Sequence, residues 1–505
     1  MTASADDGSG DWRRLDRRTL LVHCQWLGAP LGSIALAALA TGGQIPTGSW
    51  IALGCIAAAF VAITLGGLVH WARTEFRVDA EALAVRSGLF TRRLRTVPLR
   101  RIRSVDLTAS PVHRLLGLTV LRAGTAGSGT GLSEMSLNAL RVRDAERLRT
   151  EILAHVDRSA VADDPLVSRI NWRWLRYAPL TFWVIGGVFT VAGAASRILD
   201  GAGIQAWRLP FVRRAFSEFG SSMLWLTVPA LLLAILVVGS LGALVVYAEN
   251  WWNYRLEWTD ARMLRVRRGL LTTRSVTIER DRLRGAVIRE PLLLRAGGGA
   301  QVRAVAGGLG NREDNRRRSA LLPPAPRGEA VRVAAGALQA PFPEADLIAH
   351  PRAALRRRRT RGLVLAVLPG VVALAVLGAV FSSGVLLHAA WVYGLVATLA
   401  VLWLARDAYR SLGHTIAGPY LLARSGTFHR DTVALQRESI AAWTFTTSPL
   451  GRRAGVVTLT AAVAAGEEGY RIPDADAVEA PSFAAEVSPG IVEEFLEPAP
   501  TSSGG

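Results

Sequence analysis

The chain contains no lysine, so its formal net charge of +19 rests entirely on arginine. The glycine-rich stretch Gly124–Gly131 therefore has no ε-ammonium to offer a phosphate. It also lacks Gly-Lys-Ser/Thr and follows a strand with no evident helix behind it, so it is read as a strand connection. Only two cysteines occur, Cys24 and Cys55. Both fall in apolar runs, which excludes a disulfide framework or a zinc site and predicts free, buried thiols. The eight histidines (23, 70, 113, 155, 350, 388, 414 and 429) are scattered, with no i, i+4 pair and no carboxylate-rich surroundings. No metal centre is expected from them. A Gly-x-Ser-x-Gly elbow is missing, and neither cysteine has an activating partner. Charge is absent from the middles of the apolar runs, so no proton relay or ion path is indicated. These absences argue against an enzyme, and no cofactor is expected.

What is present is apolar and repetitive. Half of the 505 residues are hydrophobic and mean hydropathy is +0.27, which points to several domains and a membrane. Arg86-Ser87-Gly88-Leu89-Phe90 returns as Arg267-Arg268-Gly269-Leu270-Leu271 and as Arg424-Ser425-Gly426-Thr427-Phe428. Thirteen and fourteen residues past each glycine lie Arg101-Ile102, Arg282-Leu283 and Ser439-Ile440. Pro111, Pro291 and Pro449 follow at 23, 22 and 23, and Gly117, Gly297 and Gly455 six residues later. Four coincidences in register define an internal repeat, which fixes the architecture before anything else is read.

Six apolar runs, long enough to cross a bilayer as helices, fall into three hairpins. They are Leu20–Ala40 with Trp50–Val69, Ala178–Ala195 with Met223–Tyr247, and Leu363–Phe381 with Gly384–Ala405. Arginines flank the hairpins and are absent from the turns 41–49 and 382–388, which places both termini and all three repeats in the cytoplasm. The loop 196–222 carries arginines against that trend. An even helix count keeps it outside, as an amphipathic interfacial stretch. The expected fold class is membrane α + β, each hairpin followed by a cytoplasmic β-sandwich or barrel module. A basic N-terminus (1–19) precedes hairpin 1 (20–70), module 1 (71–157) and a linker (158–177). Hairpin 2 (178–247) leads to module 2 (248–350) with a disordered insertion at about 311–328. A basic linker (351–362), hairpin 3 (363–405), module 3 (406–480) and an acidic, largely disordered tail (481–505) complete the chain. Module 1 closes with an amphipathic helix over 140–156, and module 3 is expected to lack a long one.

Arginines cluster in the modules. Arg92, Arg93, Arg95, Arg100, Arg101 and Arg103 surround the first turn, and Arg267, Arg268, Arg282 and Arg284 the second. About five residues separate each hairpin from its module, which holds these charges within about 8–10 Å of the headgroups. Each arginine that reaches an anionic surface contributes about 1 kcal/mol. They are read as membrane-surface or partner contacts, against the plainer reading of solvated strand faces. Trp71, Trp172, Trp174, Trp251 and Trp252 sit where apolar runs meet polar sequence and are read as interfacial anchors. Aromatics are not interleaved with the basic runs, so nucleic acid is not expected as a partner.

At Pro98-Leu99, Ile102, Ser104-Val105 and Leu115-Leu116-Gly117-Leu118 the first repeat resembles the bacterial PH-like membrane protein family of the YdbS/YdbT type. The second repeat departs from it at Leu283, Gly285-Ala286 and Ala296-Gly297. The third keeps Ile440, Ser448-Pro449 and Gly455. The three-module layout is similar to the family's larger member. That resemblance implies modules of about seven strands closed by a helix, a non-enzymatic membrane protein and a smaller one-module membrane partner. The expected function is a scaffold in envelope homeostasis that binds anionic lipid headgroups or that partner. The alternative is a transporter or export component with the hairpins lining a path.

Overall fold

The computed structural model describes residues 12–19, 21–22, 47–79, 82–88, 93–99, 102–125, 134–154, 166–181, 224–260, 262–307, 309, 312–343, 345–467 and 469–495. Most of the expected first span, nearly all of the third, the loop 196–222 and most of the glycine-rich stretch at 124–131 lie outside these residues, as do Arg92, Arg100 and Arg101. The chain divides into two compact units, Met1–Arg280 and Asp281–Gly505. The boundary falls inside the second repeat.

In the first unit, β1 (Arg13–Arg14) precedes the apolar helix α1 (Thr47–Ala72). Cys55, expected to be buried, is exposed on α1, because that helix turns an apolar surface outward. Strands β2 (Glu75–Val78), β3 (Ala82–Ser87) and β4 (Arg93–Pro98) join β1 in an antiparallel sheet of order β1-β2-β3-β4. Then come β5 (Ile102–Ala109), the short helix α2 (Pro111–Leu115), β6 (Leu118–Thr125), β7 (Glu134–Arg141) and the closing helix α3 (Val142–Ala154). Leu83 and Val85 meet Leu121, Leu137, Ala145 and Leu148 in one buried cluster, so α3 packs Ala145 and Leu148 on the sheet. After β8 (Leu166–Arg169), a 3-10 segment (Trp172–Leu180) and the apolar helix α4 (Leu224–Trp251), the second repeat opens. It begins with β9 (Arg255–Asp260), β10 (Met263–Arg268) and β11 (Thr273–Glu279). These three strands do not start a new sheet. β11 pairs antiparallel with β5, which gives one seven-stranded sheet of order β7-β6-β5-β11-β10-β9-β8.

The second unit repeats that step. β12 (Leu283–Pro291), α5 (Leu292–Ala296), β13 (Gly299–Ala306), α6 (Arg312–Arg318), β14 (Ala320–Pro326) and α7 (Arg327–Leu338) finish the second repeat. Two helices follow, α8 (Arg352–Val380) and α9 (Gly384–Arg410). The third repeat opens with β15 (Gly413–Ala417), β16 (Tyr420–Ser425) and β17 (His429–Gln436). β17 pairs with β12 over seven residues, so the sheet runs β14-β13-β12-β17-β16-β15. A last sheet, β18 (Ile440–Thr446), β19 (Val456–Val463) and β20 (Gly469–Asp476), carries α10 (Pro449–Arg453) and α11 (Glu479–Val487). Its core joins Leu459, Ile472 and Phe483 to Val305 and Leu435.

Three expectations change. The insertion at 311–328 is α6 and β14, and Pro323 and Pro324 sit in β14 at the edge of its sheet, where a missing N–H costs no ladder bond. The tail from 481 is ordered through Phe495, because Phe483, Val487 and Val492 are buried apolar anchors in an otherwise acidic stretch. The basic linker 351–362 is the first three turns of α8, continuous with the apolar run. Among the described residues three helices are long and apolar enough to cross a membrane: Leu232–Trp251, Arg352–Val380 and Gly384–Arg410.

The structure also corrects the alignment of the second repeat. The short helix starts 23 residues past the turn glycine in all three copies, at Pro111, Leu292 and Pro449. Pro291 thus occupies the N-cap position, where Ser110 and Ser448 accept hydrogen bonds from the backbone in the other copies. The second positive-φ glycine is Gly298 (φ 72°), matching Gly117 (68°) and Gly455 (65°). At the turn itself Gly88, Gly269 and Gly426 have φ of 149°, 111° and 129°. A Cβ at Gly426 would strike the His429 carbonyl oxygen, as one at Gly269 would strike that of Thr272. Gly426→Ala should therefore lower stability by about 1–3 kcal/mol. Gly328→Ala, in the open first turn of α7, should be neutral or raise it by about 0.5–1 kcal/mol. Thermal unfolding of the detergent-solubilised chain reads both.

Candidate functional site, a basic cleft at the foot of a helical hairpin

Helix α8 begins with Arg356–Arg359 and Arg361 and then becomes wholly apolar. Asp474, in β20, fixes its foot. The Asp474 backbone is left-handed (φ 60°) and its carboxylate is 8% exposed. Arg357 donates to it, and Arg358 lies 3.1 Å away. Arg357 also donates to Ser448 Oγ at 3.2 Å. Higher on α8, Pro369 has no N–H to give the preceding turn, and Leu363–Val367 widens into a π turn in which Leu368 N–H reaches the Leu363 carbonyl. The Tyr393 hydroxyl on α9 donates to the Ala366 carbonyl at 2.9 Å. Gly370 leaves room for that ring, since a Cβ there would meet Tyr393 Oη at 2.6 Å.

Between this foot and the third repeat lies a cleft of about 610 Å³. Arg357, Arg358, Arg361 and Arg471 form its basic mouth; Leu365, Ala366, Val401 and Leu404 form its apolar wall, with Phe428 of the repeat turn at the rim. Two of the four arginines, Arg357 and Arg358, share the single Asp474 carboxylate. Arg361 and Arg471 are exposed and make no hydrogen bond or ion pair among the described residues. The arrangement offers guanidinium groups to an anion and a hydrocarbon surface immediately beside them.

Behind the cleft two histidines that are 64 residues apart meet. His350 Nε2 and His414 Nδ1 are 3.0 Å apart, His350 Nδ1 faces the Asp474 carbonyl at 3.1 Å, and His414 packs edge-on against Phe483. Sequence reading missed this pair because no spacing links a pre-helical loop to the first strand of a sheet. No cluster of three metal-ligating side chains occurs among the described residues. Burial pushes both histidines below the ordinary value, His414 to about 4 with His350 adding to the effect.

The first unit holds a second basic cleft of about 370 Å³, which gathers Arg114, Arg149, Arg265, Arg267, Arg268 and Arg274. Here the repeat turn is bolted to the foot of α4. Gly269 N–H donates to the Trp252 carbonyl (2.8 Å) and Leu270 N–H to that of Glu249 (2.9 Å), while the Glu249 carboxylate accepts from Leu271 and Thr272 N–H. Arg268 lies over the Trp251 ring at 4.3 Å. Of the tryptophans read as anchors, Trp174 and Trp251 are buried inside the protein. Trp71 is half-buried and donates to the Asp16 carbonyl. Trp172 and Trp252 stack on each other with exposed faces. Arg95, Arg267 and Arg284 are exposed, Arg268 and Arg282 half-buried, and Arg93 and Arg103 lie in β4 and β5. The structure thus brings Arg267 and Arg268 together at this cleft, Arg268 against Trp251, and leaves Arg95 apart on β4.

One pair of functional arginines was not singled out from the sequence. Arg114 in α2 donates to the Leu270 carbonyl in the next repeat's turn. Arg295 in α5 pairs with Asp407 and lies 3.4 Å from Ser411 Oγ at the foot of α9. Both stand 26 residues past their turn glycine, and that shared offset is the signal that could have found them. Arg114 latches the first repeat to the turn of the second, and Arg295 latches the second repeat to the foot of α9.

The family model described as bacterial PH domain matches residues 29–156, 207–339 and 363–490, which together exceed half of the chain. A UPF0699 transmembrane protein, YdbT, of Bacillus subtilis (strain 168) is 24% identical over 280 residues. That match spans 52% of this chain and 55% of the relative. No solved structure matches.

Because the two histidines are held neutral, the second unit should lose stability as pH falls from about 6.5 through 4, and be insensitive above about 7. His414→Phe should flatten that acid limb of the melting-temperature profile, which differential scanning calorimetry from pH 4 to 8 would read.

Proposed function

Since the chain belongs to the bacterial PH domain family, we propose that it is a non-enzymatic integral membrane scaffold that holds anionic lipid at the feet of its hairpins. In this reading six spans form three hairpins in the cell membrane, and both termini and all three PH-like repeats face the cytoplasm. The observation that carries it is the cleft at the foot of α8 and α9, where Arg361 and Arg471 stand unpaired above Leu365, Val401 and Leu404. A phospholipid presents a phosphate and an alkyl chain in that same order. Guanidinium suits the phosphate because its planar fork donates two hydrogen bonds at once. The tethering supports the same reading. Glu249 and Arg295 tie the repeats to helix feet, so the basic surfaces cannot swing away from the headgroups. The transporter reading gains no support, because the described parts of the apolar helices carry no paired charges in their middles.

Arg361→Gln with Arg471→Gln should weaken retention of phosphatidylglycerol by about 30-fold, at about 1 kcal/mol per arginine. Phosphatidylcholine, whose phosphate is offset by its own ammonium, should lose several-fold less. Native mass spectrometry of the full chain released from mixed nanodiscs measures both, and equal loss of the two lipids would refute headgroup recognition. A reporter fused after Phe495 should be active only as a cytoplasmic fusion; periplasmic activity would overturn the topology.

A further inference from the structure

The same contact is made twice within the chain. The third strand of one repeat, β11 or β17, adds to the fourth strand of the repeat before it, β5 or β12. The register is also the same. Thr273 and its partner Ala109 lie 4 and 21 residues past their turn glycines, and His429 and Pro291 lie 3 and 22. In both junctions the two offsets add to 25. Among the described residues the series leaves one strand of each kind unmatched. β4 of the first repeat ends its sheet, and β18 of the third ends its own.

Burial separates the matched strands from the unmatched ones. β12 is buried at nearly every position, and β11 and β17 are buried over their middles. In β18 only Ile440 is buried, and five of its seven residues are exposed. In β4, Leu94, Arg95 and Thr96 are exposed. Leu94 is 58% and Phe445 40% exposed, although both are large and apolar. Exposed strand edges are usually protected by charge, proline or a bulge that twists them away. The β18 sequence, Ile-Ala-Ala-Trp-Thr-Phe-Thr, has no charge and no proline.

We propose that β18 is a docking edge for β4 of a second copy of this chain, in the register already used inside it. That register sets Leu94 against Phe445 and Arg93 against Thr446. The junction is short, like that of β5 with β11. The seven-residue junction of β12 needs Gly285, whose Cβ would strike the Ala434 carbonyl oxygen, and Ala442 and Ser104 stand at that position in the other repeats. Each copy keeps one donor and one acceptor edge, so the contact is heterologous and joins copies head to tail. It covers the Leu94 and Phe445 side chains, and it is independent of whether the helix feet bind lipid.

The test is cysteine cross-linking in native membranes, with Cys24 and Cys55 first replaced by serine. Copies carrying Leu94→Cys and copies carrying Phe445→Cys are co-expressed and oxidised. A covalent dimer is expected in the mixture and in neither copy alone, several-fold stronger than for Leu94→Cys with Ala441→Cys. A chain carrying both Leu94→Cys and Phe445→Cys should give a ladder of oligomers. Ile288→Cys with Thr432→Cys, register partners within one chain, should close as a monomer and shows that the membranes are oxidising. The proposal is overturned if the mixture gives no dimer while that internal pair closes. It is equally overturned if the doubly substituted chain closes on itself, or if Phe445→Cys is captured by a different, smaller polypeptide.

Discussion

The pairing of one repeat's third strand with the previous repeat's fourth strand is the constraint on which the rest of the structure depends. A PH-like repeat of seven short strands has two open sheet edges, and an open edge is a row of unsatisfied N–H and C=O groups. Two of the three possible junctions are closed by main-chain ladders, β5 with β11 and β12 with β17. The consequence is that no repeat is an independent bead. The second is divided between the two compact units, its first three strands in one sheet and its next three in another.

Pairing also determines what the membrane helices can do. In the first unit the repeat turn hydrogen-bonds to the foot of α4, and Arg114 from the preceding repeat reaches the same turn. In the second, Arg295 reaches the foot of α9, and Asp474 holds the foot of α8 through two arginines. Helix feet and sheets are therefore cross-braced through short polar contacts rather than joined by free linkers. A basic cleft formed at such a brace has a fixed backbone, and Asp474 orients Arg357 and Arg358 before any ligand arrives, so less ordering entropy is lost on binding.

Much of this was legible in the sequence because glycine and proline have narrow uses. The turn glycines at 88, 269 and 426 mark a backbone conformation that a side chain would obstruct, and counting from them places β5, β12 and β18 correctly. Apolar runs gave the helices for an equally simple reason, the length needed to cross hydrocarbon. The failures have physical causes too. Pro323 and Pro324 looked like disorder because an edge strand tolerates proline and composition does not report edges. The tail looked disordered because Phe483 and Val487 are sparse anchors among acidic and small residues. Strand pairing across repeats leaves no trace in a single repeat's pattern, since a buried third strand and an exposed one differ only in what happens to lie beside them. The candidate site was half visible: the arginines were counted, but which of them Asp474 engages depends on a contact 117 residues away.

The account stands or falls on the junction between β12 and β17, where Arg289 meets Asp431 through two hydrogen bonds of 2.8 and 2.6 Å with both side chains about one-fifth exposed. A double-mutant cycle on unfolding of the full chain, using Arg289→Ala, Asp431→Ala and the double variant, tests it directly. Pairing across the repeats predicts a coupling energy of about 1–3 kcal/mol, and additivity within about 0.3–0.5 kcal/mol would contradict it.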